Sequence, residues 1–220
     1  MTRRPPVRQK LVPGLRIARH RHDEAYVAVV LSGGYQEAGD SGRRLLQAGD
    51  VAVHGMFSGH LNGVLPQGAV VLNLSIEGLA GPFGRLADPD AVAIAAETDP
   101  IAAADLVRQM LAPLPAQDLD WPDALAAALT AEPQLSLAEW ARDRGLAPET
   151  LSRGFGRAFG LTPKRFRYEA RVRQALAQVM GGCAPLAETA LDAGFADQAH
   201  MSHAVSELTG ASPGAWRRGR

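Results

Sequence analysis

Two rhythms of apolar spacing divide this chain. Up to residue 76 the apolar residues come in short β-like runs, Leu15–Arg19, Tyr26–Leu31, Arg43–Leu46, Val51–His54 and Val70–Ile76, separated by Gly33-Gly34, Gly39-Asp40, Gly49-Asp50 and Pro66-Gly68. Runs of that length broken by turn residues predict a small antiparallel barrel or sandwich without a long helix. Beyond residue 136 the spacing switches to three and four, the period of a helix face. Leu137 and Ala141 share one face of a short helix, and Leu151, Phe155 and Ala158 follow at i, i+4, i+7 on the next. Ser136 with Glu139 three residues on reads as a capping box, Pro148 as a first-turn proline, and Gly160 and Gly210 as helix stops. From Pro163 to Met180 the chain has no glycine and predicts one helix, with Tyr168, Val172, Leu176 and Val179 on an apolar stripe and Arg167, Arg171, Gln174 and Gln178 on a polar one. Between the two regimes, Glu77 to Pro133 is rich in alanine and proline. Asp99-Pro100 starts a helix there that runs to Pro113, Leu114 to Trp121 reads as a linker, and Trp121 to Leu129 as a further helix.

The second regime is duplicated. LAEWARDRG from Leu137 to Gly145 recurs as LAETALDAG from Leu186 to Gly194. Leu151, Phe155, Ala158, Gly160, Pro163 and Phe166 then return as Met201, Val205, Leu208, Gly210, Pro213 and Trp216, each 50 positions later. Helix, glycine turn and helix form the helix-turn-helix pattern, whose second helix can enter the DNA major groove. The face opposite the apolar stripe carries Glu149, Ser152, Arg153 and Gly156 in the first copy and Ala199, Ser202, His203 and Ser206 in the second. The joining helix spans roughly 26 Å at 1.5 Å per residue. With its flanking turns that brings the two reading helices near the roughly 34 Å between successive major-groove faces.

Residues from about 121 to 218 resemble the DNA-binding domain of the AraC family of bacterial transcription regulators. The resemblance rests on LAEWARDRGLAPETLSRGFGRAFGLTPKRF and on GFADQAHMSHAVSELTGASPGAWR, close to the family's terminal signature. It departs at Ala147, where a Ser or Thr cap is usual, and at Val205, where a Phe is usual. The resemblance implies two reading units joined by a long helix, double-stranded DNA as partner, a homodimer, RNA polymerase as a further partner, and a sensor domain for a small-molecule effector.

Formal net charge is zero, but residues 135–220 carry twelve basic and eight acidic side chains and residues 91–134 one and seven. Arg144, Arg153, Arg157, Lys164, Arg165, Arg167, Arg171 and Arg173 cluster in the first unit and joining helix, where phosphate neutralisation should grip DNA. Residues 181–214 contain no Lys or Arg. Gln198, Ser202 and His203 make the second unit's contribution weaker or dependent on histidine protonation.

In the first regime His20 and His22 alternate on one strand and share a face, Gly14 precedes His20 by six positions, and Gly49 precedes His60 by eleven. Those spacings resemble the two cupin motifs. His20, His22 and His60 match three ligand positions, while Tyr26 stands where the glutamate belongs and Gly55 and Phe57 replace the proline and glycine of the second motif. Glu24 could substitute for the missing carboxylate. Three imidazoles can hold a divalent ion with an open position. The alternatives are a metal-free effector pocket around His20, His22, Tyr26 and His60, a bound metal, and structural histidines.

The sequence therefore predicts a multidomain α+β protein. Residues 1–76 form a cupin-like antiparallel barrel, 77–118 a helical dimerisation or linker segment, and 119–220 an all-α double helix-turn-helix. Cys183 alone cannot form an internal disulfide, and no apolar run reaches the roughly 18 residues that cross a bilayer, which predicts a cytoplasmic protein. No catalytic residues and no cofactor are expected. A cupin-type metalloenzyme, a dioxygenase or isomerase carrying a DNA-binding tail, is the alternative.

Overall fold

A computed structural model describes residues 7–115, 117–118, 120–132 and 135–219. The first six residues, Ala116 and Leu119 of the expected linker, and Pro133 lie outside the described residues. The chain forms two compact units, Met1–Leu119 and Asp120–Arg220.

The first unit is an eight-stranded antiparallel sheet: β1 (Arg8–Leu11), β2 (Arg16–Arg21), β3 (Tyr26–Gly39), β4 (Gly42–Gln47), β5 (Asp50–His54), β6 (Gly59–Ser75), β7 (Phe83–Leu86) and β8 (Leu111–Pro113). Helices α1 (Pro89–Thr98) and α2 (Pro100–Met110) lie between the last two strands. Strands β3 and β6 pair along their whole length, from Tyr26 opposite Ser75 to Gly39 opposite His60. β5 flanks the first half of β3 and β4 its second half. β1 and β2 flank the two halves of β6 in the same way. The sheet thus folds over on itself without closing, its path running from β1 through β6, β3, β5 and β7 to β8.

Gly33-Gly34 and Pro66-Gly68 are not the turns that their composition suggests. They lie inside the two long strands, where the register shifts between Val30 and Ser32 and between Gly33 and Tyr35. Gly33 (φ 67°) sits so close to the partner strand that a Cβ there would lie 2.0 Å from the Gly68 carbonyl oxygen. The glycines mark a bend, which needs close backbone approach just as a turn does.

Alternation along β3 explains both layers of the core. Val27 and Val29 face outward and share a cluster with Val51, Leu72 and Leu74 and with Val92, Ala103, Ala104 and Val107 of α1 and α2. Tyr26, Ala28 and Val30 face inward with Leu11, Tyr35, Leu46, Ala52 and Val71. A strand buried on both faces reads as a continuous apolar run, as YVAVV does. Helix α2 starts at Asp99, whose carboxylate accepts from the Ile101 and Ala102 amides, as its sequence predicts. The same side-chain cap at Asp88 starts α1, which the alanine-rich sequence does not announce. Both helices pack on the sheet rather than standing apart as a linker.

The second unit contains α3 (Trp121–Ala131), α4 (Leu137–Arg142), α5 (Pro148–Phe159), α6 (Pro163–Gly181), α7 (Leu186–Asp192), α8 (Gln198–Thr209) and α9 (Pro213–Arg217). The duplication is structural. Gly145 and Gly194 take φ 64° and 75° in the two turns, and Gly160 and Gly210 end α5 and α8 in the left-handed region at φ 73° and 77°. Ser136 caps α4 through the Glu139 amide, whereas Ala147 offers α5 no side-chain cap. Phe155, Phe159 and Phe166 pack ring to ring at 4.7–5.5 Å beneath the first copy. Beneath the second, the Trp216 indole donates to the Thr209 hydroxyl at 2.8 Å. Gly154 faces Trp121 so closely that a Cβ would lie 2.4 Å from the indole, which fixes α5 against α3.

Candidate DNA-reading surface and sheet cavity

On the first reading helix, α5, Glu149, Ser152, Arg153 and Arg157 are exposed, and Lys164 is exposed at the start of α6. The Arg153 guanidinium touches its own helix only through a 3.4 Å hydrogen bond to the Glu149 carbonyl, which leaves its fork outward. Arg144 lies over the Trp140 ring at 3.9 Å. On α8, Gln198 and His203 are exposed and Ser202 is half-buried.

Three of the expected phosphate contacts are engaged inside the unit. Arg165 bonds to Glu169 at 3.0 Å and to Glu207 at 3.1 Å, tying α6 to α8. Arg167 donates to the Leu135 carbonyl at 3.0 Å. Arg171 donates to the Gly194 carbonyl at 3.0 Å and lies over the Phe195 ring at 4.5 Å, so it braces the second helix-turn-helix turn. Arg171→Ala should accordingly cost the tail about 1–2 kcal/mol of stability, since a charged donor to a carbonyl is lost. Thermal unfolding followed by the fluorescence of Trp121, Trp140 and Trp216 measures it, and an unchanged transition would remove the bracing role.

Inside the folded sheet of the first unit is a cavity of about 490 Å³, lined from β1, β2, β3, β5 and β6. His20 and His60 are cross-strand partners of β2 and β6, their ring centroids 4.2 Å apart. His22 follows one residue after the end of β2, 5.0 Å from His20 and 5.7 Å from His60. The three expected histidines therefore converge, one ring nitrogen of each lying within 4.8 Å of the others. The His22 carbonyl accepts from the Phe57 amide at 2.9 Å. Phe57 is fully buried and, among the described residues, is the one non-glycine in the left-handed region (φ 59°), at the place where the cupin motif carries glycine. Tyr26 lies beside the cluster, its hydroxyl 3.3 Å from His60 Nε2.

Glu24 does not supply the missing carboxylate: it is exposed before β3 and does not line the cavity. The buried carboxyl is Glu37, which the sequence reading overlooks together with His54. Both sit on strands as cross-strand partners of cavity residues, Glu37 opposite Asn62 and His54 opposite Tyr26. His54 stacks on Tyr26 at 4.5 Å and lies 4.3 Å from His60. Its Nε2 is 3.4 Å from Glu37 Oε2, which also accepts from Asn62 Nδ2 at 3.4 Å. Burial pushes the Glu37 carboxyl up to about 8, against a weaker opposing pull from the Asn62 hydrogen bond. Burial also pushes His54 down to about 3, helped by the neighbouring His22 and His20, and holds His60 well below its ordinary range. Near neutral pH the Glu37–His54 contact is thus one between a carboxylic acid and an imidazole, not an ion pair. Arg19 and Asp40 pair at the cavity's edge. Leu11, Ile17, Ala28 and Val71 supply apolar wall, and polar side chains from the same strands converge on the chamber, with Arg19 at its edge, a composition that suits a small-molecule site.

Residues 140–219 match the family model of the helix-turn-helix domain. Among solved structures, the chain is similar to the C-terminal domain of AraT, a response regulator from Geobacillus stearothermophilus. The identity is 22%, covering 47% of this chain and 89% of that one, with a TM-score of 0.43. It is similar to ToxT from Vibrio cholerae with bound unsaturated fatty acid, at 10% identity over 96% of this chain and 93% of that one, TM-score 0.45. It is also similar to the DNA-binding domain of AdpA, a global transcriptional factor solved in complex with a target DNA, at 24% identity over 46% and 92% of the two chains, TM-score 0.41. No curated protein matches. No helix among the described residues is long and apolar enough to cross a membrane.

Proposed function

We propose that this chain, whose tail is a helix-turn-helix domain, is a cytoplasmic AraC-type transcription regulator that binds DNA sequence-specifically and responds to a small effector held in the sheet cavity. The observation that carries the reading is the doubled helix-turn-helix with Arg153 exposed on the first reading helix. Arg153, Glu149 and Ser152 face base edges from α5, and Gln198, Ser202 and His203 do so from α8. Arg157 and Lys164 neutralise phosphates, and Arg165, Arg167 and Arg171 hold the helices in register for that contact. His20, His22, Tyr26 and His60 anchor the effector, which acts by binding one arrangement of the regulator better than another. The protein pairs with a second copy through α1 and α2, where Ile94 and Ile101 stand 68% and 76% exposed. It acts on transcription through binding rather than catalysis.

Selection of binding sites from a random duplex pool with the full chain tests the reading. The expected product is a sequence whose two contacted segments lie about 10–10.5 base pairs apart on one side of the duplex. Failure to enrich any sequence above the starting pool overturns it.

A further inference from the structure

We infer that Leu114, Pro115 and Gln117 form a releasable strap on the sheet, and that its docking sets the length of tether with which a paired regulator reaches two DNA sites. The inference rests on the regulator reading above and gives a physical form to the two arrangements between which the effector chooses.

Three observations carry it. The first is how the segment is held. Pro113 and Pro115 have no N–H, so the ladder that pairs β8 with β7 cannot run on past Pro113. Beyond it the Leu114 amide donates to the Phe83 carbonyl at 3.4 Å, the Arg44 guanidinium donates to the Pro115 carbonyl at 2.8 Å, and the Gln117 side-chain amide donates to the Arg43 carbonyl. Both side-chain bonds are exposed, and such bonds contribute little net stability. Ordering the segment opposes them, at a cost that Pro115 lowers by fixing its own φ and restricting Leu114. The docked and released forms therefore lie close in free energy. β8 itself is firmly seated, since a Cβ on Gly84 would lie 2.5 Å from Leu111 Cδ1. Release accordingly stops at Pro113.

The second observation is that the strap lies on the cavity's own wall. Arg44 and Leu46 of β4 stand opposite Glu37 and Tyr35 of β3, both of which line the cavity. Leu114 packs against the cluster that contains Tyr26, Tyr35 and Leu46. An occupant that displaces Tyr35 shifts the surface on which the strap is docked. The third is the strap's place in the chain. Residues 118–120, three in number, separate Gln117 from Trp121, the first residue of α3, and Trp121 packs on Gly154 of the reading helix α5. Once released, the tether runs from 114 to 120, seven residues. At about 3.1 Å per residue for a proline-containing segment, the four added residues give roughly 12 Å per chain and roughly 25 Å per pair. That is about seven base pairs at about 3.4 Å each.

The experiment compares the full chain with its double variant Arg44→Ala, Gln117→Ala, on duplexes carrying one or two copies of the selected operator, the two copies moved apart one base pair at a time. Hydrogen exchange followed by nuclear magnetic resonance reads the strap. The Leu114 amide should exchange at least about tenfold faster in the double variant, with β3 and β6 unchanged as the check that the sheet stays folded. Binding reads the tether. The double variant should hold two operators over a range of separations about seven base pairs wider, and should bind the best pair about 3–4-fold more weakly, because effective concentration falls as roughly the −3/2 power of tether length. Its affinity for a single operator should stay within about twofold, since one site does not test the tether. A four-residue Gly-Ser insertion after Asp118 should reproduce the binding results without touching the sheet. An unchanged Leu114 amide in the double variant overturns the strap. Faster exchange with the same range of separations, or independent binding of the two operators at every separation, overturns the tether role and leaves the regulator reading in place. A chain that selects no operator overturns the regulator reading and the tether role with it, while the Leu114 amide still decides the strap.

Discussion

Replacing Glu37 by Gln should abolish a loss of stability that the sheet unit suffers as pH rises from about 6.5 to 8. The carboxyl holds its proton up to about 8 when buried but loses it from 4.5 upward once unfolded. Over that window the folded state binds more protons than the unfolded one, so stability falls with pH, by about 1.4 kcal/mol per unit for one group. His54 works in the opposite sense. Its folded value of about 3 lies below the ordinary 6.5, so the unfolded chain takes up the extra proton and stability is lost as pH falls through that range. His60 acts in the same direction. The two effects oppose each other between about 4.5 and 6.5, and above 6.5 the glutamate acts alone. Stability should therefore peak near pH 6.5 and decline on both sides. In Glu37→Gln the alkaline decline should vanish, because the amide keeps an acceptor for Asn62 without a titrating proton. Calorimetry across this pH range measures this. A decline that persists between pH 6.5 and 8 in the variant would place its cause in another group.

Arg153→Ala should cost about 1–3 kcal/mol of operator affinity and relax selection at one base position, the effect of losing a bidentate contact to guanine. The side chain is exposed and held only by its 3.4 Å bond to the Glu149 carbonyl, so the loss would come from the DNA contact and not from the fold. Comparison of operator and random duplex decides it. Equal weakening on both would make Arg153 a phosphate contact, whose removal lowers affinity for every sequence alike and flattens the salt dependence by about one unit of slope.

How far the sequence could be read depended on which element held the information. In the tail, helix period, capping serine and stop glycine are local signals, and Ser136, Gly160 and Gly210 all act where the sequence places them. In the sheet the same residue types misled. Gly33-Gly34 and Pro66-Gly68 look like turns in a one-dimensional reading, yet their role depends on a strand 35 residues away. Strands β1, β7 and β8, of three or four residues each, carry too little alternation to stand out. His20, His22 and His60 were recognisable because glycine-led spacings flank them. Glu37 and His54 have no such spacing and become part of the cavity only through strand pairing. Glu37 could have been found by following the alternation two residues on from Tyr35, which puts both on the inward face. The basic first unit and a second unit without Lys or Arg were legible in the sequence, but the internal bonds of Arg165, Arg167 and Arg171 were not, since their partners lie up to 42 residues away.

Between Tyr26 and Val30, β3 works as a diaphragm one pleat thick. Tyr26 and Ala28 touch the cavity, while Val27 and Val29, fully buried, touch the core beneath α1 and α2. Close-packed interiors pass displacement on rather than absorbing it. Whatever enters the chamber and presses on Tyr26 therefore presses, through the adjoining peptide, on the underside of both helices. A displacement passed on in this way would need no hinge: its input and output are alternate residues of the same strand.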